Sequence, residues 1–497
     1  ALAAWAVFGF VRQRQHLTTV AYLDLLLPTR WGNFRVAQGD HRIASAQLLA
    51  HKGQRAEALI LLRRGAAQSP ANRDGRLLLA QLLLEAGRSD AAREVLLDGL
   101  AFHRTDPAYL HPLFTFLLQR QEDAKIIMLA RAALGTSPAA TDANHLIALA
   151  AATASYFRGN YDQADSFLHR IPSLADSRDG RLLTANIDWE RGFRDLTLLR
   201  LRALIHEWPD DWEVHTALAA KLRESELADE ARRLSLAYQL AHPRLPGPRL
   251  ELLEAYDRSG ERDHVASEAA AFLRDFSANP TALLELANFA ANAGNVVLAR
   301  QLADHAQAHH FPTEAHLILV AEAQIVSGEY QPGLDTLRTL VRENPAGDAS
   351  RQALLNGLQA VAHYGLGDPE GARLFLSSSL NQPRLQTENL LALSRSLAAV
   401  GAEEPARQTL LRAAAVDPRN QAALTRLVEF DLNLNRIDEL PPHLSRLLTM
   451  RKPSPDLLRV AQHKLGSDLF LFSAERPAVL EAVRVALEKE SAPLSRS

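Results

Sequence analysis

The sequence predicts an all-α fold, a right-handed α-solenoid of about twelve helix-turn-helix repeats, and three observations carry that prediction. A glycine or another turn-tolerant residue stands between two helix-period apolar segments at Gly53, Gly87, Gln121, Gly159, Gly192, Glu226, Gly260, Gly294, Gly328, Gly367, Gly401 and Asn435. The steps between these positions are 34, 34, 38, 33, 34, 34, 34, 34, 39, 34 and 34 residues, a period that marks one supersecondary unit restated by its neighbours. Small residues sit at fixed offsets on both sides of the turns, and prolines recur where units would meet. A single hairpin leaves its apolar faces open to water, so stacking is what gives such a chain a core.

Taken in order, residues 1–16 open with ALAAWAVFGFV, an uninterrupted apolar run followed by Arg12 and Arg14. Eleven apolar residues are too few to cross a bilayer. The run is therefore read as the remnant of an N-terminal transmembrane anchor, a membrane helix, in preference to a signal-peptide remnant or a buried capping helix. The chain begins at Ala1 with no Met, and an upstream portion is expected. Residues 17–38 connect this segment to a solenoid expected over 39–450. Residues 451–490 read as a degenerate repeat and a capping helix, since ERPAVLEAVRVALEKE has amphipathic spacing with Pro near its start; 491–497 read as a flexible tail.

Within the array, the side chain seven residues ahead of most turns is small: Ala46, Ala80, Ala152, Ala185, Ala219, Ala287, Ala321, Ala360 and Ser394. Five residues after the turn it is often small again, at Ala58, Ala92, Ala164, Ala231, Ala299, Gly333, Ala372 and Ala406. Two antiparallel helices approach closely only where their facing side chains are small, so these pairs mark the crossings. Leu253 opposite Val265 is bulkier and should widen its hairpin. Pro70, Pro107, Pro138, Pro209, Pro243, Pro280, Pro345 and Pro418 are expected to stop a second helix and start the next unit.

These residues resemble the tetratricopeptide repeat family, whose small–turn–small–Pro pattern and 34-residue period recur over more than four-fifths of the chain. The family's aromatic positions are mostly filled by Leu or other residues, and Gln121 and Glu226 replace the turn Gly, so some units are degenerate. The resemblance implies a binding solenoid whose first helices line a concave surface. Exposed positions there include those six and three residues before the turn. They give Gln47, Gln81, Thr115, Thr153, Tyr156, Asn186, Trp189, Arg223, Glu254, Asp257, Asn288, Glu322, Tyr364, Arg395 and Glu429. From this wall Tyr156, Asn186, Trp189 and Arg223 are selected as the partner-binding patch, because aromatic, Asn and Arg side chains offer flat area and fixed hydrogen bonds. Tyr156 and Trp189 fit packing between units equally well.

Composition excludes more than it assigns. Of 497 residues, 47% are hydrophobic and 23% charged, which is ample for a large core. A net charge of −3 gives no field to recruit nucleic acid. Cysteine is absent, which removes disulfides, thiolate metal sites and a cysteine nucleophile, and suits an oxidising compartment such as the periplasm. The Arg-rich composition, with six Lys, resembles that of a GC-rich bacterial genome. No phosphate-cradling Gly loop, HExxH, GxSxG or DxDxDG stretch occurs. His305 and His309 in DHAQAHH could both face a cation, but no third ligand is at hand and a solvated helix face explains them. Asp210–Asp211 and Glu403–Glu404 read as caps and first-turn carboxylates rather than an acid–base pair. No catalytic, cofactor or metal residue is assigned, and an enzyme is not expected.

The functional expectation is a non-enzymatic scaffold held to a bacterial membrane by its N-terminus, its array in the periplasm, gripping other proteins of a cell-envelope complex. The alternatives are a glycan-handling subunit of a polysaccharide secretion system and a cytoplasmic regulatory adaptor. An adaptor for chaperone C-terminal carboxylates is not expected, since Asp74, Asp179, Glu213 and Glu388 near the starts of the first helices would repel that group.

Overall fold

The computed structural model describes Phe8 and residues 21–345, 347–382 and 385–491. Among the described residues all regular structure is helical. The chain divides into two units, 1–180 and 181–497. The first contains the hairpins turning at Gly53, Gly87, Gln121 and Gly159; the second contains those from Gly192 to Asn435, followed by helices Pro455–Gly466 and Arg476–Ser491.

Each of the twelve turn residues read from the sequence has positive φ, from 54° at Asn435 to 86° at Gly328. The reason is visible at Gly87. Its N–H donates to the Leu84 carbonyl at 2.9 Å, and the Arg88 N–H donates to the Leu83 carbonyl at 2.8 Å, closing the end of helix Arg73–Glu85 through one left-handed residue. Gln121 (55°) and Glu226 (63°) accept the same backbone although L side chains disfavour it. At Glu226 the bonds are the same: its N–H reaches the Arg223 carbonyl at 3.1 Å, and Leu227 reaches the Leu222 carbonyl at 2.9 Å. A thirteenth positive φ, 56° at His310, ends a second helix, Val296–Ala308, and was not foreseen.

The small pairs are at the crossings. Ala46, Ala58, Ala152, Ala164, Ala360, Ala372 and Ala406 are all fully buried. In two hairpins the crossing is bridged directly, by Thr197 Oγ1 donating to the Ala185 carbonyl at 3.2 Å and Ser394 Oγ donating to the Ala406 carbonyl at 3.1 Å. Phe114 and Ile126 occupy these two positions in the Gln121 hairpin and are buried, a second bulky pair beside Leu253 and Val265. The uneven steps lengthen first helices. Most have 13 residues, as in Pro280–Asn292, whereas the 38-residue step leads into Asp142–Phe157 (16) and the 39-residue step into Ala349–Gly365 (17). Pro107 and Pro280 begin helices as expected, behind capping Asp106 and Asn279.

Neighbouring hairpins share their cores. In the second unit Leu317 packs on the apolar clusters of both the Gly294 and Gly328 hairpins, and Phe430 on those to either side of it. Ion pairs 28 or 29 residues apart join successive hairpins: Arg202–Glu230 (2.8 Å), Arg223–Glu251 (2.7 Å) and Arg232–Glu261 (2.5 Å), with Arg93–Glu122 (2.7 Å) in the first unit.

The first helix of the Gly53 hairpin starts at Trp31, inside the expected connector. Of the apolar run, only Phe8 is described; it is buried, its ring edge-on to Tyr22 at 5.6 Å. Among the described residues no helix is long and apolar enough to cross a membrane, so the expected membrane helix has no support here, and the rest of that segment lies outside the described residues. The tail expected at 491–497 also lies outside them beyond Ser491.

Candidate partner-binding groove

The four residues selected from the inner wall do not behave alike. Tyr156 belongs to the first unit, half-buried, its ring tilted against Phe157 at 5.6 Å and Tyr161 at 6.0 Å. Asn186, Trp189 and Arg223 belong to the second. Trp189 is only 8% exposed and packs in the cluster that holds Leu182, Leu198 and Leu218. The Lys221 ammonium lies 4.7 Å and the Arg194 guanidinium 5.4 Å from its ring centre, so the face offered to solvent is already taken by cations. Arg223 is held by Glu251 at 2.7 Å, and Asn186 is half-buried.

A concavity lies elsewhere on the same register. A cavity of about 220 Å³ is lined by first-helix residues of four successive hairpins: Asn292 of Pro280–Asn292; Glu322, Ile325 and Val326 of Glu314–Val326; Ala353, Leu354 and Leu358 of Ala349–Gly365; and Asn389, Ala392, Arg395 and Ser396 of Thr387–Ala399. Leu385 and the buried Ser379 close its floor, with Ser379 Oγ donating to the Ala353 carbonyl at 2.7 Å. The volume is smaller than a site for a drug-sized metabolite, and suits one or two amino-acid side chains.

Two charges line this cavity, Glu322 and Arg395. Both stand six residues before their turns, two hairpins apart, and the hairpin between them has the fully buried Val361 there. Among the described residues neither Glu322 nor Arg395 has a hydrogen-bond or ion-pair partner. Glu322 keeps a strip of accessible surface, yet its carboxyl lies deep in the concavity, and burial alone pushes it up to about 7. Sequence reading placed both residues on the wall without singling them out. The available signal was the 39-residue step, because the long first helix it produces, Ala349–Gly365, forms one side of the cavity.

The remaining candidates are accounted for by local structure. His305 shares a hydrogen bond of 2.9 Å with the Ser277 carbonyl and stacks on His309 at 4.1 Å, and among the described residues no His, Asp or Glu group could hold a metal. Asp211 caps Trp212–Glu224 by accepting the Val214 N–H at 3.2 Å, while Asp210 lies 3.0 Å from His242. Glu403 and Glu404 are in the first turn of Glu403–Val416, where Glu404 meets Arg407 at 3.7 Å and also Arg436.

The tetratricopeptide repeat family model matches residues 49–111, which cover the Gly53 and Gly87 turns and reach into Pro107–Gln119, so these hairpins are similar to tetratricopeptide repeats. No curated protein matches the chain. Among solved structures it is similar to yeast Tom70, at 12% identity and a TM-score of 0.34 over 92% of this chain and 97% of that one. It is similar also to a tetratricopeptide repeat protein from Parabacteroides merdae, at 14% identity and 0.31 over 52% and 99%. The Cut9–Hcn1 hetero-tetramer of APC/C gives 12% and 0.27 over 92% and 98%. At TM-scores this low the superpositions carry no argument about what the chain binds.

Proposed function

We propose that this tetratricopeptide-repeat chain is a non-enzymatic scaffold that holds other proteins, and that it grips them along the first helices of its second unit. The observation that carries the reading is the cavity shared by four successive hairpins, sized for side chains and edged by two charged groups that have no partner among the described residues. Its lining is aliphatic and polar rather than aromatic, which suits a peptide segment better than a sugar ring. The envelope setting belongs to the same proposal and rests on composition and the N-terminal apolar run.

The test is photo-crosslinking in native cells. A benzophenone amino acid at Ser396, beside the cavity, should trap discrete protein adducts, while the same group at Leu240, 73% exposed on a second helix, should not. Ala392→Trp fills the cavity from an exposed position and should abolish the Ser396 adducts. Adducts that persist in the Ala392→Trp protein would mean that the groove is not where partners dock. Release of the native full-length protein by alkaline carbonate would remove the membrane tether and leave the scaffold reading intact.

A further inference from the structure

Resting on the groove reading, a narrower inference concerns the chemistry of what the groove accepts. Ion pairs hold several carboxylates and guanidiniums of the array, whereas the cavity is bordered by the half-buried Glu322 and the exposed Arg395. Arg223 has Glu251, Arg232 has Glu261, and Arg351 has Glu314. Glu322 and Arg395 have none among the described residues, though each borders an apolar concavity. A carboxylate beside aliphatic side chains, without a cation, is costly to ionise, and native chains keep such groups where a ligand supplies the counter-charge.

The charged groups of the surrounding helices do not supply it. Pro280–Asn292 carries Glu285 only, and on the helix of Glu322 itself Glu314 is paired with Arg351. His316 is engaged with the Pro312 carbonyl at 3.2 Å. On Ala349–Gly365 the other ionisable groups are His363, which is bonded to Asp368 at 2.9 Å, and Tyr364, whose hydroxyl is pushed up from its ordinary value by burial. Thr387–Ala399 brings Glu388 and Arg395, of which Arg395 alone borders the cavity. Val296–Ala308 and Tyr330–Glu343 contribute no residue to the lining.

We propose that the cavity is a receptor for an extended peptide segment that carries a Lys or Arg beside an aliphatic residue: the cation seats on Glu322, the aliphatic side chain fills the space against Ile325, Leu354 and Leu358, and a neighbouring carboxylate of the segment meets Arg395. Charge complementarity fixes this occupant, because a second basic residue at the Arg395 end or an acidic one at the Glu322 end would meet a like charge. The position of the Glu322 carboxyl, near 7 when empty, adds a proton to the exchange. Seating a cation expels that proton, so binding strengthens as pH rises from about 6 to about 8, roughly ten-fold if the occupied carboxyl stays ionised throughout.

The experiment uses the full chain and immobilised short peptides in which Lys, acetyl-lysine or Glu is fixed at the centre, Leu or Ser beside it, and the other positions mixed. Wild type should retain the Lys–Leu peptides about ten-fold better than their acetyl-lysine counterparts, with the pH dependence above. Glu322→Gln should lose both the charge preference and the pH dependence, and Arg395→Ala should lose the gain from an added Asp. All other ionisable groups are common to both proteins, so their contribution cancels in the comparison. Retention of the Lys preference in Glu322→Gln would overturn the inference. So would equal capture of acetyl-lysine peptides, and if Ala392→Trp still abolished that capture, the groove reading would survive without the cation. Capture unaffected by Ala392→Trp, or none by wild type, would sink both.

Discussion

Trp189 and Glu322 were reached by the same rule, counting back from a turn to the concave wall, and they have opposite fates. Trp189, three residues before Gly192, is covered by Lys221 and Arg194 and shares a core with Leu198 and Leu218. Glu322, six residues before Gly328, borders a cavity and has no hydrogen-bond or ion-pair partner among the described residues. Periodicity fixes which face a residue joins. Whether the place is already filled depends on the neighbouring hairpin, which supplies Lys221 in one case and the buried Val361 in the other.

The difference is sharpest in what truncation should do. Trp189→Ala should cost about 3–5 kcal/mol, the range for a large buried aromatic, and lower the melting temperature whether or not a partner is present. A melting temperature unchanged by that substitution, with partner capture lost, would return Trp189 to the binding surface alongside Tyr156, Asn186 and Arg223. Ala80→Leu probes the register on which both assignments depend. Ala80 faces Ala92 across a closed crossing, and overpacking there should cost about 1–3 kcal/mol by chemical denaturation.

Glu322→Gln should act in the other direction. Its folded-state carboxyl is raised, so the stability tied to its proton is full below the ordinary carboxylate range and lost as pH climbs through about 7. The neutral amide avoids that loss. A shift of this size is worth at most about 3 kcal/mol and the accessible strip reduces it, so a gain of about 1–2 kcal/mol is expected at alkaline pH, and none in acid near the ordinary carboxylate value. Equal gains at both extremes would assign the effect to packing instead. The smallest change is expected at the turns, where Glu226→Gly should add about 0.5–1 kcal/mol by relieving a left-handed L residue, and Gly87→Ala should subtract a similar amount.

The fold was legible because its cause is local and repeated. Twelve turn residues and nearly all crossing pairs are set by steric demands that leave a mark at fixed spacing, even where Gln121 or Glu226 replaces glycine. Phe114 and Ile126 escaped because a bulky crossing has no small-residue mark. The candidate site was less legible. Tyr156, Trp189, Glu322 and Arg395 all lay on the predicted wall, but choosing among them required knowing which side chains from the next hairpin cover which. That information lies in three-dimensional packing, such as the length of Ala349–Gly365, and composition favoured the aromatic residues over the lone charges.

The ion pairs that tie Arg202 to Glu230, Arg223 to Glu251 and Arg232 to Glu261 give the array links that respond to salt. Each bridges one hairpin to the next, and the exposed Arg202–Glu230 pair adds only about 0–1 kcal/mol to the folding equilibrium. Their attraction is electrostatic, so added salt, which shortens the screening length to about 3 Å at molar concentration, weakens these links between hairpins.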